Sequence, residues 1–182
     1  MSTLKLCLGQ CWGLRPHRPQ NRVVQFGNIL FLVRIPSIQD DSVNAAHDKT
    51  QENVIRILNT YKKVAMVGLS ANPERPSYGV AEYLISRGYE VIPVNPRYDK
   101  ILGKQSYPSL HDVPKPLEIV DVFRKSEDVL PVAEDALKEG AKVFWMQLNI
   151  RNDEAADLLE KHGITVIQDR CIAQELRHHL PG

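Results

Sequence analysis

Residues Val64 to Pro96, VAMVGLSANPERPSYGVAEYLISRGYEVIPVNP, read as one complete strand, loop, helix and strand, and such a unit leaves a chain few folds to choose from. The apolar run Val64–Val67 stops at Gly68, as a buried parallel strand does where it opens into a turn. Ser77 then opens a helix in which Val80, Ala81, Leu84 and Ile85 recur on one side, and Gly88 stands where a left-handed cap would close it. Tyr89–Val94 is the returning strand. The connection from Leu69 to Pro76 is long for a strand-to-helix loop, where about two to six residues is usual, and Pro73 and Pro76 stiffen it. A long, stiffened loop in that position suits a ligand.

The alternation extends along the chain. Asp48 followed by Gln51 signals a helix start, with Val54, Ile57, Leu58 and Tyr61 on one side, and this helix leads into the first strand. Beyond Pro96, Ser109–Val113 reads as a helical turn stopped by Pro114 and Pro116, and Leu117–Phe123 as a strand. Val129, Val132, Ala133, Ala136 and Leu137 mark a helix closed by Gly140, its regular part delayed beyond Ser126 by Pro131. Lys142–Met146 is a strand, Asn152 caps a helix that Gly163 ends, and Ile164–Ile167 is a fifth strand. Strands this short and apolar need cover on both faces, so the expected fold is α/β: a Rossmann-like, doubly wound parallel sheet of about five strands with helices on both faces. Ligands of such sheets lie beyond the carboxyl ends of the strands. The residues there are Gly68 and Ser70; Asn95, Pro96 and Arg97; Phe123 and Arg124; Gln147 and Asn149; and Asp169, Arg170 and Cys171.

A chain of 182 residues with 43% hydrophobic content can bury one full core. The domain is expected at 46–182. Residues 1–45 are expected to be disordered or a non-native extension, with natural translation starting near Val43, which the mass of the native protein would reveal. The net charge of +1 hides an asymmetry: Lys5, Arg15, Arg18, Arg22 and Arg34 precede the first acidic residue. Removing those 5 from 23 basic residues leaves 18 against 22 acidic, a remainder of −4 that argues against a nucleic-acid surface. Cys7, Cys11 and Cys171 are too few for a disulfide scaffold and fit a reducing, cytoplasmic setting. Cys7 and Cys11 with His17 have poor count and spacing for zinc. No apolar run approaches a membrane span.

Three or more backbone N–H groups at the start of the Ser77 helix are expected to point outward, where the helix dipole favours an anion, and Gly79 would let a phosphate come close. The same residues also read as a plain N-cap and a packing glycine. Arg75, Arg97, Arg124 and Arg170 are candidate phosphate partners. A dinucleotide fingerprint G-x-G-x-x-G is absent, and the second strand ends in Asn95, Pro96 and Arg97 rather than an acidic residue, which suits a phosphorylated ribose better than a free one. No G-x-x-x-x-G-K-[ST] occurs, which excludes a phosphate-loop NTPase.

Taken in order, VGLSANPERPSYGVAEYL, GYEVIPVNP, ILGKQSYPSL, IVDVFRKSEDV, VFWMQLNIRNDEA and DRC resemble the small stand-alone coenzyme A-binding domain proteins, similar to the CoA-binding domain of succinyl-CoA synthetase, over roughly Val54 to Glu175. The resemblance implies a domain that binds CoA with its first loop around the phosphates. It points to Gly68, Ser70, Asn72, Arg75, Ser77, Tyr78 and Gly79 in that loop and helix start, to Asn95, Pro96 and Arg97 beside the nucleotide, to Val122, Phe123 and Arg124 after the third strand, and to Gln147 after the fourth. Where members often carry a Glu-His pair shortly after Arg-Cys, this chain has Glu175 and Leu176, with His178 and His179 out of place. The synthetases ligate with a phosphorylated histidine and a nucleotide-grasping domain that this chain does not hold. The expected function is therefore binding of CoA or an acyl-CoA without a catalytic centre, as a sensor, carrier or partner of another enzyme whose identity the sequence does not name. The alternatives are acyl or disulfide exchange at Cys171, near Asp169 and His178, and an NAD or NADP sensor.

Overall fold

The computed structural model describes residues 21–26, 29–34 and 41–180. The chain divides into two compact units, Met1–Asn44 and Ala45–Gly182. In the first, β1 (Asn21–Phe26) pairs antiparallel with β2 (Ile29–Arg34), Asn21 opposite Arg34. Cys7, Cys11 and His17 lie outside the described residues.

The second unit is the domain that the sequence outlines. Helix α1 (Asp41–Thr60) enters it and leads into β3 (Lys63–Val67), so Asp48 sits inside the helix rather than at its start. Then follow α2 (Pro76–Ser86), β4 (Glu90–Val94), β5 (Lys100–Ile101), β6 (Lys104–Gln105), β7 (Ile119–Val122), α3 (Val129–Lys138), β8 (Val143–Met146), α4 (Asp153–Lys161), β9 (Thr165–Ile167) and α5 (Ile172–His179). Strands β3, β4, β7, β8 and β9 form one parallel sheet in the order β4-β3-β7-β8-β9. The chain runs outward from β3 to β4, then returns past β3 to β7. That reversal opens a crevice beyond the carboxyl ends of β3 and β7.

Alternate strand residues supply the two faces of the sheet, which is why each strand reads as continuously apolar. Val64, Met66, Val91, Ile119, Val143, Trp145 and Ile167 meet Val54, Ile57 and Leu58 of α1, Ala81 and Leu84 of α2, and Ile172 and Leu176 of α5. Ala65, Val67, Ile92, Val94, Val120, Val122, Phe144 and Met146 meet Val129, Ala133 and Ala136 of α3 and Ala155, Ala156 and Leu159 of α4. The expected cap of α4 is present, Asn152 Oδ1 accepting from Ala155 N–H at 2.9 Å. A 3₁₀ turn at Ser126–Asp128 precedes α3, so Pro131 falls in the first turn of the α-helix, where it is tolerated.

Two elements escape the periodicity reading. The β5–β6 hairpin turns through Leu102 and Gly103, both at positive φ (52° and 71°), and Leu102 is not a residue that signals such a turn. Helix α5 is built from IAQELRHH, whose buried residues are only Ile172, Ala173 and Leu176. Glu175 holds this helix in place: its carboxylate lies 3.1 Å from Arg170 Nη1 and 3.2 Å from His179 Nε2, and His179 Nε2 lies 3.0 Å from Gln51 Nε2 of α1. One helical turn on, His179 thus reaches the glutamate that an adjacent histidine does not follow in the chain. Among the described residues no helix is long and apolar enough to cross a membrane.

Candidate functional site

The loop from Gly68 to Ser77 is braced from within. Gly68 N–H donates to Val94 O at 3.0 Å, tying the end of β3 to the end of β4. Its φ is +86°, and a Cβ there would overlap the carbonyl oxygen of Phe123, so only glycine lets β3 and β7 close at this point. Ser70 Oγ accepts from Asn72 N–H at 3.1 Å, and Asn72 Oδ1 accepts from Glu74 N–H at 3.0 Å. These two short-range bonds give the loop its course without help from a ligand.

Ser77 does not start the helix. Pro76 is its first residue after Arg75, and Ser77 is buried, its Oγ accepting from Ser70 N–H at 3.1 Å across the loop. The count of outward N–H groups is correspondingly smaller than expected. Pro76 has none to offer, and Tyr78 N–H is spent on Arg75 O at 3.0 Å. Gly79 is exposed, with nothing within 4 Å of where a Cβ would be, which removes the packing explanation for this glycine and leaves its face open. Tyr78 is half-buried, and Asn72 and Arg75 are exposed.

Asn95 links the loop to the second strand. Its Nδ2 donates to Leu69 O at 2.8 Å and its Oδ1 accepts from Arg97 N–H at 3.0 Å, so the side chain positions its surroundings and has little left for a ligand. Val122 is wholly buried against the α3 side of the sheet, and Phe123 packs on the other side. Arg124 is exposed, its Nε 3.4 Å from where a Cβ on Gly68 would lie. Arg97 is exposed at the turn after β4. Arg170, by contrast, is committed to Glu175, so it drops out of the set of candidate phosphate partners.

A cavity of about 400 Å³ opens at the crevice between β3, β4 and β7. Val67, Val94 and Pro96 form its sheet side, Pro108, Ser109 and Leu110 a second wall, and Arg124 with Asp128, Val132 and Asp135 the wall from α3. Of the expected site residues only Pro96 and Arg124 line it; Ser70, Asn72, Arg75, Ser77, Tyr78 and Gly79 belong to the loop and to α2, which packs on the opposite face. The wall at 108–110 is missed by the strand-end reading. It is brought to β4 by a bridge between Val94 and Tyr107, with Tyr107 N–H on Pro93 O and Asn95 N–H on Tyr107 O, both at 2.9 Å.

Gln147 is buried, and its Nε2 donates to Oδ1 of Asp121 at 2.8 Å. Asp121 is fully buried in β7 between Met66 and Trp145, and burial pushes its carboxyl up to about 7, more than the bonds from Gln147 and the Val122 backbone pull it down. Its Oδ2 has no partner. One sequence signal for it existed: a lone carboxylate in the otherwise apolar strand IVDV. Farther along the edge, Asn149 and Asp169 both hold positive φ (62° and 55°), and Asp169 Oδ1 accepts from Asn149 N–H at 2.7 Å, which ties the β8 and β9 loops together. Cys171 precedes α5 as a half-buried free thiol. Among the described residues no group of three or more His, Cys, Asp or Glu is placed to hold a metal ion.

Residues 62–177 match the family model "CoA binding domain". The uncharacterized protein YneT of Bacillus subtilis (strain 168) is 43% identical over 123 residues, covering 68% of this chain and 91% of YneT. The solved structure of a hypothetical protein from Pyrococcus horikoshii OT3 superposes with a TM-score of 0.70 at 42% identity, over 71% of this chain and 92% of that one. The acetate–CoA ligase [ADP-forming] II of Archaeoglobus fulgidus is 30% identical over 117 residues, 58% of this chain but only 17% of the ligase. The shared part is thus a small portion of that enzyme.

Proposed function

The chain belongs to the CoA binding domain family, and from that premise we propose that it binds coenzyme A or an acyl-CoA along the carboxyl edge of its sheet, as a binding module without a catalytic centre of its own. The observation that carries this reading is the cavity at the β3–β7 crevice with Arg124 in its wall. Its volume of about 400 Å³ lies within the usual range for small-molecule sites, roughly 300–1,000 Å³. Apolar side chains on opposite walls, Val67 and Val94 against Val132, suit a flat base, and Ser109, Asp128 and Asp135 supply hydrogen-bonding groups for its edge. Arg124, Arg97 and Arg75 stand exposed along the same edge with no carboxylate within ion-pair distance among the described residues. Guanidinium groups left in that state can bind phosphates at little cost.

The exposed face of Gly79 and the braced loop before it support a second phosphate contact at the start of α2. Pro96 and Arg97 follow β4 on the side expected for a ribose phosphate, with Asn95 holding the loop beside them, and no acidic residue directly ends that strand.

A thermal-shift series with CoA, acetyl-CoA, dephospho-CoA, NAD and NADP tests this. At one hundred times its dissociation constant, CoA should stabilise the domain by about 2.7 kcal/mol, a rise in Tm on the order of 10 °C. The dinucleotides should do nothing at the same concentration. No response to CoA or acetyl-CoA, or an equal response to NADP, would remove the proposal.

A further inference from the structure

The β8 end of the edge holds a pair that no part of the nucleotide site explains. Gln147 is 4% exposed and its amide is tied by the nitrogen end to Asp121. No donor among the described residues reaches its Oε1, and Asp121 Oδ2 is the buried side-chain atom without a partner, so Oε1 is left as an acceptor that solvent can reach. Gln147 directly follows β8, which neighbours β7. Adjacent strands lie about 4.8 Å apart, so Gln147, which continues the register beyond the Val122–Met146 pair, stands roughly one strand spacing from Phe123 at the end of β7, its side chain sharing with Asp121 the face on which α2 packs, opposite the cavity. Coenzyme A extends well beyond its nucleotide. The rest is an arm with two amide groups, and an arm that leaves the cavity over the strand ends toward the α2 face passes β7 and then β8.

We propose that Asp121 is a positioning residue for the ligand: by holding Gln147 through Nε2, it fixes that amide with Oε1 presented to an amide N–H of the pantetheine arm. This rests on the coenzyme A reading above. An Asn or Gln amide turned end for end offers a donor in place of an acceptor, and a donor facing an N–H is a repulsive contact. An ionised Asp121 can only accept, so it enforces one orientation. A protonated Asp121 can donate from its O–H to Oε1 and release the amide to turn. The flanking register partners, Met66 of β3 and Trp145 of β8, carry no charge, and the hydrogen bonds acting on its carboxyl come from Gln147 and the Val122 backbone, with no charged group from any packed element contributing.

The test compares the wild-type protein with Asp121→Asn by calorimetric titration with CoA and with adenosine 3′,5′-bisphosphate, which lacks the arm. The variant should bind CoA roughly tenfold more weakly, the worth of one hydrogen bond turned unfavourable, and bind the bisphosphate as the wild type does. Between pH 8 and pH 6 the wild type should lose affinity for CoA relative to the variant, since the phosphate titration of the ligand is common to both. The wild-type series needs no variant: CoA affinity should fall more steeply than bisphosphate affinity as the pH drops. A folded variant with unchanged CoA affinity, or with both ligands weakened equally, overturns the positioning role. If the wild type binds neither ligand, the coenzyme A reading itself is what fails.

Discussion

Gly68→Ala is expected to destabilise the domain by about 3 kcal/mol or more, lowering Tm on the order of 10 °C. An L residue in the left-handed region costs roughly 1–2 kcal/mol, and forcing a methyl group into a closed contact typically adds about 1–3 kcal/mol. Here the opposing atom is the backbone carbonyl oxygen of Phe123, in a strand end that cannot rotate away as a side chain would. Relief requires β7 to separate from β3, which also displaces Arg124 from the cavity wall, so ligand affinity should fall with stability. Gly79→Ala supplies the contrast. A Cβ there meets nothing within 4 Å, and alanine favours a helix by up to about 1 kcal/mol over glycine. That variant should keep or gain stability while losing affinity for CoA. Urea denaturation of both proteins, with and without CoA, checks the pair; an unchanged midpoint for Gly68→Ala would show that the strand ends are free to part.

Asp121 has the second large effect, on stability against pH. Its carboxyl titrates at about 7 in the fold against 3.8 when unperturbed. The unfolded chain therefore releases this proton first, and between about pH 4 and pH 7 the folded state holds more of it. Stability from this group is complete below the lower value, declines as the pH rises between the two, and stays low above 7. The difference of about 3 units corresponds to roughly 4 kcal/mol as an upper bound. Asp121→Asn, which keeps a partner for Gln147 and cannot ionise, should exceed the wild type by as much as that at pH 8 and by little near pH 4. Urea midpoints at the two pH values measure it. A gap of the same size at both would mean that the side chain is not buried as a charge.

The fold was open to reading because its strands are buried on both faces: continuous apolar runs such as VAMV and VFWM have no other stable use in a chain with helices between them. Membership in the CoA binding domain family and the Rossmann-like sheet follow the same motifs that carried the resemblance. The site was less open. Ser77 looks like an N-cap by type and position, but Pro76 takes the first helical position and the hydroxyl turns inward to Ser70. Arg170 looks like a free cation until α5 supplies Glu175, and α5 carried too few apolar residues to be read as a helix. The wall at Pro108–Leu110 depends on the isolated bridge from Val94 to Tyr107, a contact with no local pattern in either segment. Periodicity reports which way a side chain faces. It does not report what a distant loop brings to meet it.

The contact between Gln51 and His179 joins the first helix of the sheet domain to the last. Residues distant in sequence are thus neighbours in space, and the order in which the strands are strung becomes separable from the order in which they lie. A circularly permuted domain, rejoined by a short linker between those two helices and opened at the Leu102–Gly103 turn, would retain every strand neighbour of the five-stranded sheet. Such a protein would present both new ends at the small hairpin, beyond β4, and leave the cavity wall contributed by α3 untouched. Cooperative unfolding of the permutant would show that the sheet is specified by its packing rather than by its threading.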